Sequence, residues 1–290
     1  MGKRWETTGS VASVVGHPLG RGGAVPVSDA GPFSEAALRE GFESGQFLLV
    51  YQPIYDLQTS AFVGVEALIR WRHPERGLLT PDAFIDVLDS SDLVRPVAQW
   101  TLETACDQGA VWHDAGYRFR VSVNVSARQW GAGGIDDDVR DALGASRFDP
   151  TLLVLEVSRS TLESDPHARA RLRSLAELGV HRAVDDFIPD EGELERLADL
   201  GVDVVKIDRT FLAGRTGSGE LGAAVATLAA RAEALGISVI AAGIEDADQR
   251  EVLARESIAT GQGFGLSEPY EADEIDRVLE DFSIFSGKPL

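Results

Sequence analysis

Only one cysteine and comparatively few basic residues occur in this chain, and each shortage excludes a class of protein. Cys106 alone cannot form an internal disulfide or a cysteine-rich metal site. The 290 residues include 27 Lys or Arg against 47 Asp or Glu, which leaves a formal charge of −20 at pH 7. A polyanion such as DNA needs a basic surface that displaces its counterions, so we expect no nucleic acid polymer as a partner. A small anionic ligand is still compatible with this charge, because a bound metal ion reverses the local field.

Long apolar runs are also missing from the sequence. No apolar run comes close to the length of about 20 residues that a membrane-spanning helix requires. Lys3 and Arg4 are not followed by the apolar stretch of a secretory signal. We therefore expect no membrane contact and a cytoplasmic location. With 44% hydrophobic and 26% charged residues, the composition is typical of a folded protein with a large core.

The first part of the chain differs in composition from the rest. Residues 1–31 are rich in Gly, Ser, Val and Pro and show neither a helical nor a strand period. We expect a flexible N-terminal arm there and a single ordered domain over residues 32–290. Its first helix is predicted at 34–43, with Ser34 as the N-cap.

Short apolar runs then alternate with longer amphipathic stretches. The runs predicted as strands are 47–51, 62–69, 119–125, 152–157, 180–184, 202–207 and 237–241, with a weaker run at 259–264. The later stretches predicted as helices are 91–116, 136–143, 166–178, 191–200, 219–235, 247–255 and 271–282. Such alternation indicates an α/β protein with a mostly parallel sheet, and seven or eight strands in about 250 residues suit a TIM-type (β/α)8 barrel. A doubly wound open sheet is the alternative, although no glycine-rich phosphate loop follows the first strand.

Polar residues occur late in the apolar runs or directly after them, at the points where the strands are expected to end. The acids, amide and lysine in these places are Glu66, Asn124, Glu156, Asp185, Asp186, Lys206, Asp208 and Glu245. The carboxyl ends of barrel strands share one rim, so these side chains are expected to converge. Oxygen ligands suit Mg²⁺, Mn²⁺ or Ca²⁺, and a nearby lysine could position a water for metal-assisted phosphoester hydrolysis. Any one of these residues alone is also an ordinary helix cap or surface group.

Several short motifs occur in the order and spacing of one protein family. In the first half of the chain they are YQPIYDL from residue 51, EALIRW from 66, HPERGLLTP from 73, FI from 84 and VNVS from 123. In the second half they are LEV from 155, DDF from 185, KIDRTF from 206, GIE from 243 and QGF from 262. From about residue 33 to about residue 282 the chain thus resembles the EAL domain family.

The resemblance implies a modified TIM-type (β/α)8 barrel whose first strand runs antiparallel. Active members of the family hydrolyse the bacterial messenger cyclic di-GMP to linear pGpG with Mg²⁺ or Mn²⁺. Ca²⁺ usually supports binding without turnover, as a non-catalytic substitute. The resemblance therefore implies cyclic di-GMP as the ligand and a divalent cation as the cofactor.

The same resemblance implies a role for each matching residue. Its metal ligands are Glu66, Asn124, Glu156 and Asp185, with Asp186 at a second ion. Lys206 resembles the lysine that holds or activates the attacking water, and Gln262 a glutamine of the same centre, so Glu66, Lys206 and Gln262 are the implied catalytic residues. The positions that resemble the lining of the dinucleotide groove are Gln52, Leu68, Arg70 and Pro269. Asp208 and Glu245 match supporting acids.

Three positions depart from the family pattern. Ala242 stands where the family usually has a glutamate of the metal centre, and Arg159 where it has a second glutamate after the fourth strand. The loop after Phe187 lacks the glycines that the family usually places there, and Pro189 restricts Ile188. We expect Arg159 to attract the acids of that loop, Asp190 or Glu191.

These departures lead to a prediction about function. We expect a degenerate EAL-like domain that binds cyclic di-GMP or a partner protein with little or no hydrolysis. The alternative is an active phosphodiesterase that tolerates the altered loop, and a third reading is a scaffold that binds neither nucleotide nor metal. A homodimer is compatible with each of them.

Overall fold

The structure is a computed structural model that describes residues 33–131, 133–190, 192–213 and 218–286. The flexible arm predicted for residues 1–31 lies outside the described residues. The described strands are β1 (Phe47–Asp56), β2 (Phe62–His73), β3 (Gly77–Leu79), β4 (Arg120–Val125), β5 (Leu153–Ser158), β6 (His181–Phe187), β7 (Val204–Ile207), β8 (Ser238–Ala241) and β9 (Thr260–Gly261).

Helices alternate with these strands, as the sequence pattern predicts. The first six are α1 (Glu35–Glu43), α2 (Ile85–Ser90), α3 (Val94–Asp114), α4 (Ala127–Gly131), α5 (Ile135–Ser146) and α6 (Arg159–Ser164). The others are α7 (Ala168–Glu177), α8 (Glu193–Leu200), α9 (Arg209–Ala213), α10 (Ser218–Leu235), α11 (Ala247–Arg255) and α12 (Ala272–Ser286). The predicted N-cap of α1 is confirmed, because the Ser34 side chain accepts a hydrogen bond from the amide of Ala37 at 3.2 Å.

The strands close into an eight-stranded barrel, so the predicted fold class is confirmed. The sheet runs β1-β9-β8-β7-β6-β5-β4-β2-β3, and β1 also pairs with β2, which closes the ring. β1 is antiparallel to both neighbours, whereas the pairs from β2–β4 round to β8–β9 are parallel. The antiparallel first strand that the family resemblance implies is therefore present. β3 is a three-residue extension outside the barrel that the sequence pattern did not predict.

Apolar side chains fill the barrel below the rim that carries the polar residues. Ile54, Val154, Ala183, Val204 and Ile240 form a small buried cluster contributed by five strands. A larger core packs the outer face of the barrel against the helices, and a third cluster surrounds Trp71 beneath α1 and α2. Each fully buried side chain of this size stabilises the fold by about 1.5–3 kcal/mol.

Among the residues with described positions, we find no helix that combines the length and the apolar character needed to cross a bilayer.

Candidate functional site

Strand register brings most of the predicted ligands onto one rim. Asn124 on β4 pairs directly with Glu156 on β5, and Ser158 on β5 pairs with Asp185 on β6. Glu66 on β2 lies opposite Ser122, two residues before Asn124 and therefore on the same face of the sheet. Residues far apart in the sequence become neighbours in this way because parallel strands present their carboxyl ends to one side.

Lys206 on β7 lies at the centre of the rim and pairs with its acids. Its Nζ is 2.5 Å from Glu156 Oε2, 2.9 Å from Glu66 Oε2 and 3.8 Å from Asp185 Oδ1. The lysine side chain is 2% exposed, and those of Glu66 and Glu156 are 7% and 0% exposed. One ammonium group thus faces three carboxylates in a desolvated place. Such a cluster is stable only when its charges and hydrogen bonds are closely matched.

Two amides fix the orientation of Glu66. Asn124 Nδ2 donates to Glu66 Oε1 at 2.8 Å, and Gln262 Nε2 donates to Glu66 Oε2 at 2.5 Å. Both oxygens of this carboxylate therefore accept a hydrogen bond from a side chain on another strand or loop. The structure brings Glu66, Lys206 and Gln262 together, as the three predicted catalytic residues require.

The ionisation of the cluster follows from its burial and its charges. Burial raises the pKa of Glu66, but the Lys206 ammonium and the hydrogen bonds from Lys206, Gln262 and Asn124 outweigh it, and the net shift is downward. Burial and the charge of Glu66 raise the pKa of Glu156 to about 8, against the lowering effect of Lys206. The acids outweigh the burial of Lys206 and keep its pKa well above its ordinary value. A further positive charge at this site would therefore stabilise its ionised carboxylates.

The donor atoms of this cluster fit a hard divalent cation. One oxygen each of Glu66, Glu156 and Asp185 lie within 4.8 Å of one another. Glu156 Oε1 and Gln262 Oε1 are buried and accept no hydrogen bond within the described residues. A buried acceptor without a donor costs about 1–3 kcal/mol, and a cation would satisfy it. Carboxylate and amide oxygens are ligands that suit Mg²⁺, Mn²⁺ and Ca²⁺.

Asp186 lies at the edge of the cluster rather than inside it. Its backbone is in the left-handed region, with φ at 56°, and its side chain is exposed. Partial burial of its carboxyl, together with the charges of Asp185 and Asp208, raises the pKa of Asp186. The Asp208 carboxylate accepts hydrogen bonds from the amide and hydroxyl of Thr210 at the start of α9. Asp186 is thus close to other acids but does not share the central oxygen cluster.

The four residues predicted to line a nucleotide groove lie beside the cluster on β1, on β2 and on the segment that precedes α12. Gln52 is the register partner of Glu66, and Leu68 and Arg70 follow Glu66 on β2. The segment with Pro269 is tied to β1, because the amides of Tyr51 and Tyr270 donate to each other's carbonyls at 2.7 and 3.0 Å. Gln52 Nε2 also reaches the Ser267 carbonyl at 3.5 Å.

Arg70 keeps its charge available at the rim. Its NH1 donates to the carbonyl of Ile69 at 2.8 Å, and within the described residues it forms no ion pair with a carboxylate. Burial lowers the pKa of Arg70, while the charges of Glu66 and Asp82 oppose that shift. A planar guanidinium in this place can pair with a phosphate or a guanine edge.

The positions that depart from the family pattern lie on the neighbouring strands and helices. Ala242 directly follows β8 and its amide donates to the Ile207 carbonyl at 3.2 Å, so it contributes backbone but no carboxylate. The Glu245 side chain is exposed. Arg159 donates from Nε to Glu163 Oε1 at 2.8 Å and lies 3.6 Å from Glu193 Oε1.

The partners of Arg159 were missed at the sequence level. Of the two expected acids, Asp190 contributes a favourable charge to Arg159, and Glu191 lies outside the described residues. Arg159 and Glu163 are four residues apart at the start of a helix, a spacing that permits an ion pair and could have indicated this contact. Nothing in the sequence indicates the contact with Glu193, which depends on how α6 and α8 pack.

Comparisons of sequence and of structure with known proteins point to one domain family. A sequence profile described as the EAL domain matches residues 35–269. The uncharacterized protein Rv1354c of Mycobacterium tuberculosis is 37% identical over 251 residues, which cover 84% of this chain and 40% of that protein. The bifunctional diguanylate cyclase/cyclic di-GMP phosphodiesterase MucR of Pseudomonas aeruginosa is 35% identical over 240 residues, or 82% of this chain and 35% of that protein.

A solved structure resembles the whole barrel. It is the PaMucR phosphodiesterase in a complex with c-di-GMP, which superposes with a TM-score of 0.78 at 34% identity and covers 83% of this chain and 98% of that one. By contrast, the chain spans only 35% to 40% of the length of the two curated relatives.

Proposed function

Because the chain belongs to the EAL domain family, we propose that it is a module of bacterial cyclic di-GMP signalling that binds the dinucleotide together with a divalent cation and hydrolyses it slowly or not at all. The observation that carries the proposal is the cluster of Glu66, Glu156 and Asp185 around Lys206 at the mouth of the barrel. The MucR structure, which holds c-di-GMP, supports the choice of ligand.

The proposed cation ligands are Glu66, Asn124, Glu156 and Asp185, with Asp186 available to a second ion. Mg²⁺ or Mn²⁺ is the proposed physiological ion, and Ca²⁺ its non-catalytic substitute. When bound, such an ion supplies positive charge to a phosphate oxygen and makes a neighbouring water more acidic.

Each remaining residue has a physical task in the proposed site. Lys206 balances the acids and can hold a water by hydrogen bonding, because its ammonium has three donors. Gln262 and Asn124 keep the Glu66 carboxylate in one orientation. Along β1 and β2 and in the adjoining segment, we propose that Gln52, Leu68, Arg70 and Pro269 bind the dinucleotide, with Arg70 pairing to a phosphate or base edge.

Slow hydrolysis is expected because the rim has fewer carboxylates available to a second ion. Ala242 offers no carboxylate on the side where β8 ends, and Asp186 stands outside the central oxygen cluster. A clamp of two ions stabilises both the attacking and the leaving oxygen, so a weakened second ion reduces the rate more than it reduces ligand affinity. The groove residues are separate from this defect, and binding is therefore expected to persist.

A second candidate function is phosphodiesterase activity that yields pGpG. It is favoured by six predicted residues that lie together at one rim, namely Glu66, Asn124, Glu156, Asp185, Lys206 and Gln262.

Two measurements separate these functions. We expect calorimetric binding of cyclic di-GMP to the wild-type protein with Ca²⁺, and little pGpG in a time course with Mg²⁺ or Mn²⁺. Glu66→Gln should abolish the ion dependence and Arg70→Ala should weaken nucleotide binding about tenfold or more. Arg277→Ala is the matched arginine control, because this exposed residue pairs only with Asp273 among the described residues. Rapid pGpG formation that Glu66→Gln abolishes would establish the phosphodiesterase, and no binding at all would leave only a scaffold.

Ala242→Glu tests the reason given for slow turnover. The added carboxylate should raise the rate of pGpG formation by less than about tenfold, since the neighbouring loop is unchanged and such residues act as a unit. The affinity for cyclic di-GMP should stay the same. An unaltered rate together with a loss of ion binding would contradict this explanation.

The proposal extends to the surroundings of the module. We propose that the barrel domain spans residues 32–290, acts in the cytoplasm without membrane contact, and passes its ligand state to a protein partner or to a second copy in a homodimer. Light scattering with and without cyclic di-GMP tests the homodimer directly.

A further inference from the structure

Four charged side chains connect α6 with α8 on the outside of the barrel, beside the strands that carry the candidate ligands. Arg159 is the first residue of α6, which follows directly on β5 with its Glu156. Glu193 is the first residue of α8, the next helix after β6 with its Asp185 and Asp186. The two helices therefore begin next to two of the strand ends that form the site.

Glu193 is the most buried member of this group. Its side chain is 10% exposed and accepts two hydrogen bonds from Arg196, from Nε at 2.8 Å and from NH2 at 2.5 Å. Arg159 Nε lies 3.6 Å from the same carboxylate and comes from the other helix. Glu193 is in the first turn of α8, where a negative charge is also favoured by the helix dipole.

Glu163 completes the group as a closed ring of alternating charge. Its Oε1 accepts from Arg159 Nε at 2.8 Å and lies 3.4 Å from Arg196 NH2. Arg159, Glu163, Arg196 and Glu193 thus alternate in sign around the ring, and we name them the α6–α8 quartet. Two of its contacts, Arg159–Glu193 and Arg196–Glu163, join one helix to the other.

We infer that Arg159 is a positioning residue for the carboxylates of β5 and β6, and that it acts by holding the start of α8 against the start of α6 through the quartet. The segment between Phe187 and Glu193 is then anchored at both ends, by the sheet on one side and by the quartet on the other. Asp185 and Asp186 lie at the sheet end of that segment. The inference rests on the proposed cation site, because it assigns Arg159 a task within that site.

The direction of the change in cation affinity distinguishes a positioning role of Arg159 from a direct electrostatic effect of its charge. If Arg159 acted only as a nearby positive charge, replacing it by an acid would make the rim more negative and would strengthen the binding of a cation. If Arg159 acts by positioning, Arg159→Glu places three carboxylates together, separates α6 from α8 and weakens cation binding. The two explanations therefore predict opposite changes.

The experiment is a calorimetric titration of the whole chain with Mn²⁺. We expect Arg159→Glu to weaken Mn²⁺ binding about tenfold, in the range found when groups that orient metal ligands are removed. The charge exchange at all four positions, Arg159→Glu, Glu163→Arg, Glu193→Arg and Arg196→Glu, restores alternating signs, and it should return the affinity to within about threefold of wild type. Unchanged or tighter binding by Arg159→Glu would overturn the inference, as would an exchange that leaves binding as weak as the single variant.

Control variants keep the result interpretable. Arg171→Glu breaks the Arg171–Asp165 pair, whose side chains are 22% and 11% exposed against 29% and 10% for Arg159 and Glu193, and it should leave the Mn²⁺ affinity unchanged. If Arg159→Glu does not fold, Arg159→Gln removes the charge alone and should still weaken binding. A wild-type protein that binds no Mn²⁺, or binds it equally with Glu66→Gln, would refute the proposed cation site. Wild-type binding that needs Glu66 but not Arg159 would refute only the positioning role.

Discussion

Lys206 is a single residue on which the whole rim depends. It is one of three lysines in the chain, and its Nζ lies between Glu156 and Glu66 in a place that water does not reach. Desolvation of such a group is unfavourable, so its position is maintained by the acids around it. Without a bound cation, Lys206 is the charge that allows Glu66 and Glu156 to share one buried site.

Replacing this lysine should therefore destabilise the metal-free protein. Lys206→Met keeps the apolar stem but leaves the acids without a counter-charge, and we expect a loss of about 3 kcal/mol in the free energy of unfolding measured with urea. Added Mn²⁺ should recover more stability in the variant than in wild type, because the ion supplies the missing charge. A variant as stable as wild type without metal would contradict this assignment.

At the scale of an element, the position of the loop that carries Gln262 depends on a single glycine. Gly263 has φ at +154°, and a Cβ atom there would lie 2.2 Å from the backbone nitrogen and oxygen of Ile244. The close approach aligns the loop with the end of β8, because the amide of Ile244 donates to the Gln262 carbonyl at 3.0 Å. Only glycine fits this position.

Gly263→Ala should accordingly move the loop and the Gln262 amide. We expect a loss of about 2 kcal/mol in stability, from strain and displaced backbone, together with weaker Mn²⁺ binding. Gly219→Ala in α10 is the matched control, since an added Cβ there meets no atom of the described residues within 4 Å. The control should be neutral or more stable by up to about 1 kcal/mol. Equal stabilities of the two variants would show that the close approach is unimportant.

At the opposite end of the barrel, Asp203 joins β6 to the start of β7. It accepts from the amide and Nε of Arg182 at 3.0 and 2.8 Å, and His181 Nδ1 lies 3.7 Å away. Burial raises the pKa of Asp203, but the neighbouring His181 and the charge and hydrogen bonds of Arg182 outweigh it and lower the pKa overall. A carboxyl whose pKa is lowered by folding stabilises the fold when it is ionised.

This contribution has a defined dependence on pH. It is fully present above the unfolded pKa of about 3.9 and is lost as the pH falls through the lower folded value. Asp203→Asn should therefore cost about 1–3 kcal/mol at pH 7 and progressively less below about pH 4 in urea unfolding. The exposed Asp92→Asn serves as control and should show almost no difference at either pH. A cost for Asp203→Asn that stays constant down to pH 2 would contradict the ionic explanation.

At the scale of the whole molecule, ligand binding and folding stability are linked. The residues proposed to bind the cation and the nucleotide lie on β1, β2, β4, β5 and β6. An occupied site should therefore stabilise the entire barrel against unfolding. We expect Ca²⁺ and cyclic di-GMP at about 100 times the dissociation constant to add about 2.7 kcal/mol to the unfolding free energy. Thermal unfolding with and without EDTA measures this effect, and Arg70→Ala should reduce it. An identical melting temperature under all conditions would refute binding.

The sequence alone determined the order of elements and most of the candidate site. Alternating apolar runs and amphipathic stretches predicted seven or eight strands and favoured a barrel over an open sheet, because hydrophobic periodicity is a local property. It also located Asn124, Glu156 and Asp185 towards strand ends, whereas Glu66, expected late in a run that ends at 69, lies in the middle of β2, which continues to His73. The predicted 91–116 helix is present as α3, but the short β3 and the short α2 before it were not predicted, since their limits depend on packing around Trp71.

Only the tertiary structure decided which polar groups meet. Lys206 reaches Glu66 across 140 residues and Glu156 across 50, and these contacts follow from strand register and barrel closure rather than from any local pattern. The partner of Arg159 is likewise decided by the tertiary structure. In the sequence its charge is opposite to that of the family's glutamate, and in the folded chain it lies against Glu193. Its meaning depends on the packing of α6 against α8, because an ion pair between helices is set by distance in space.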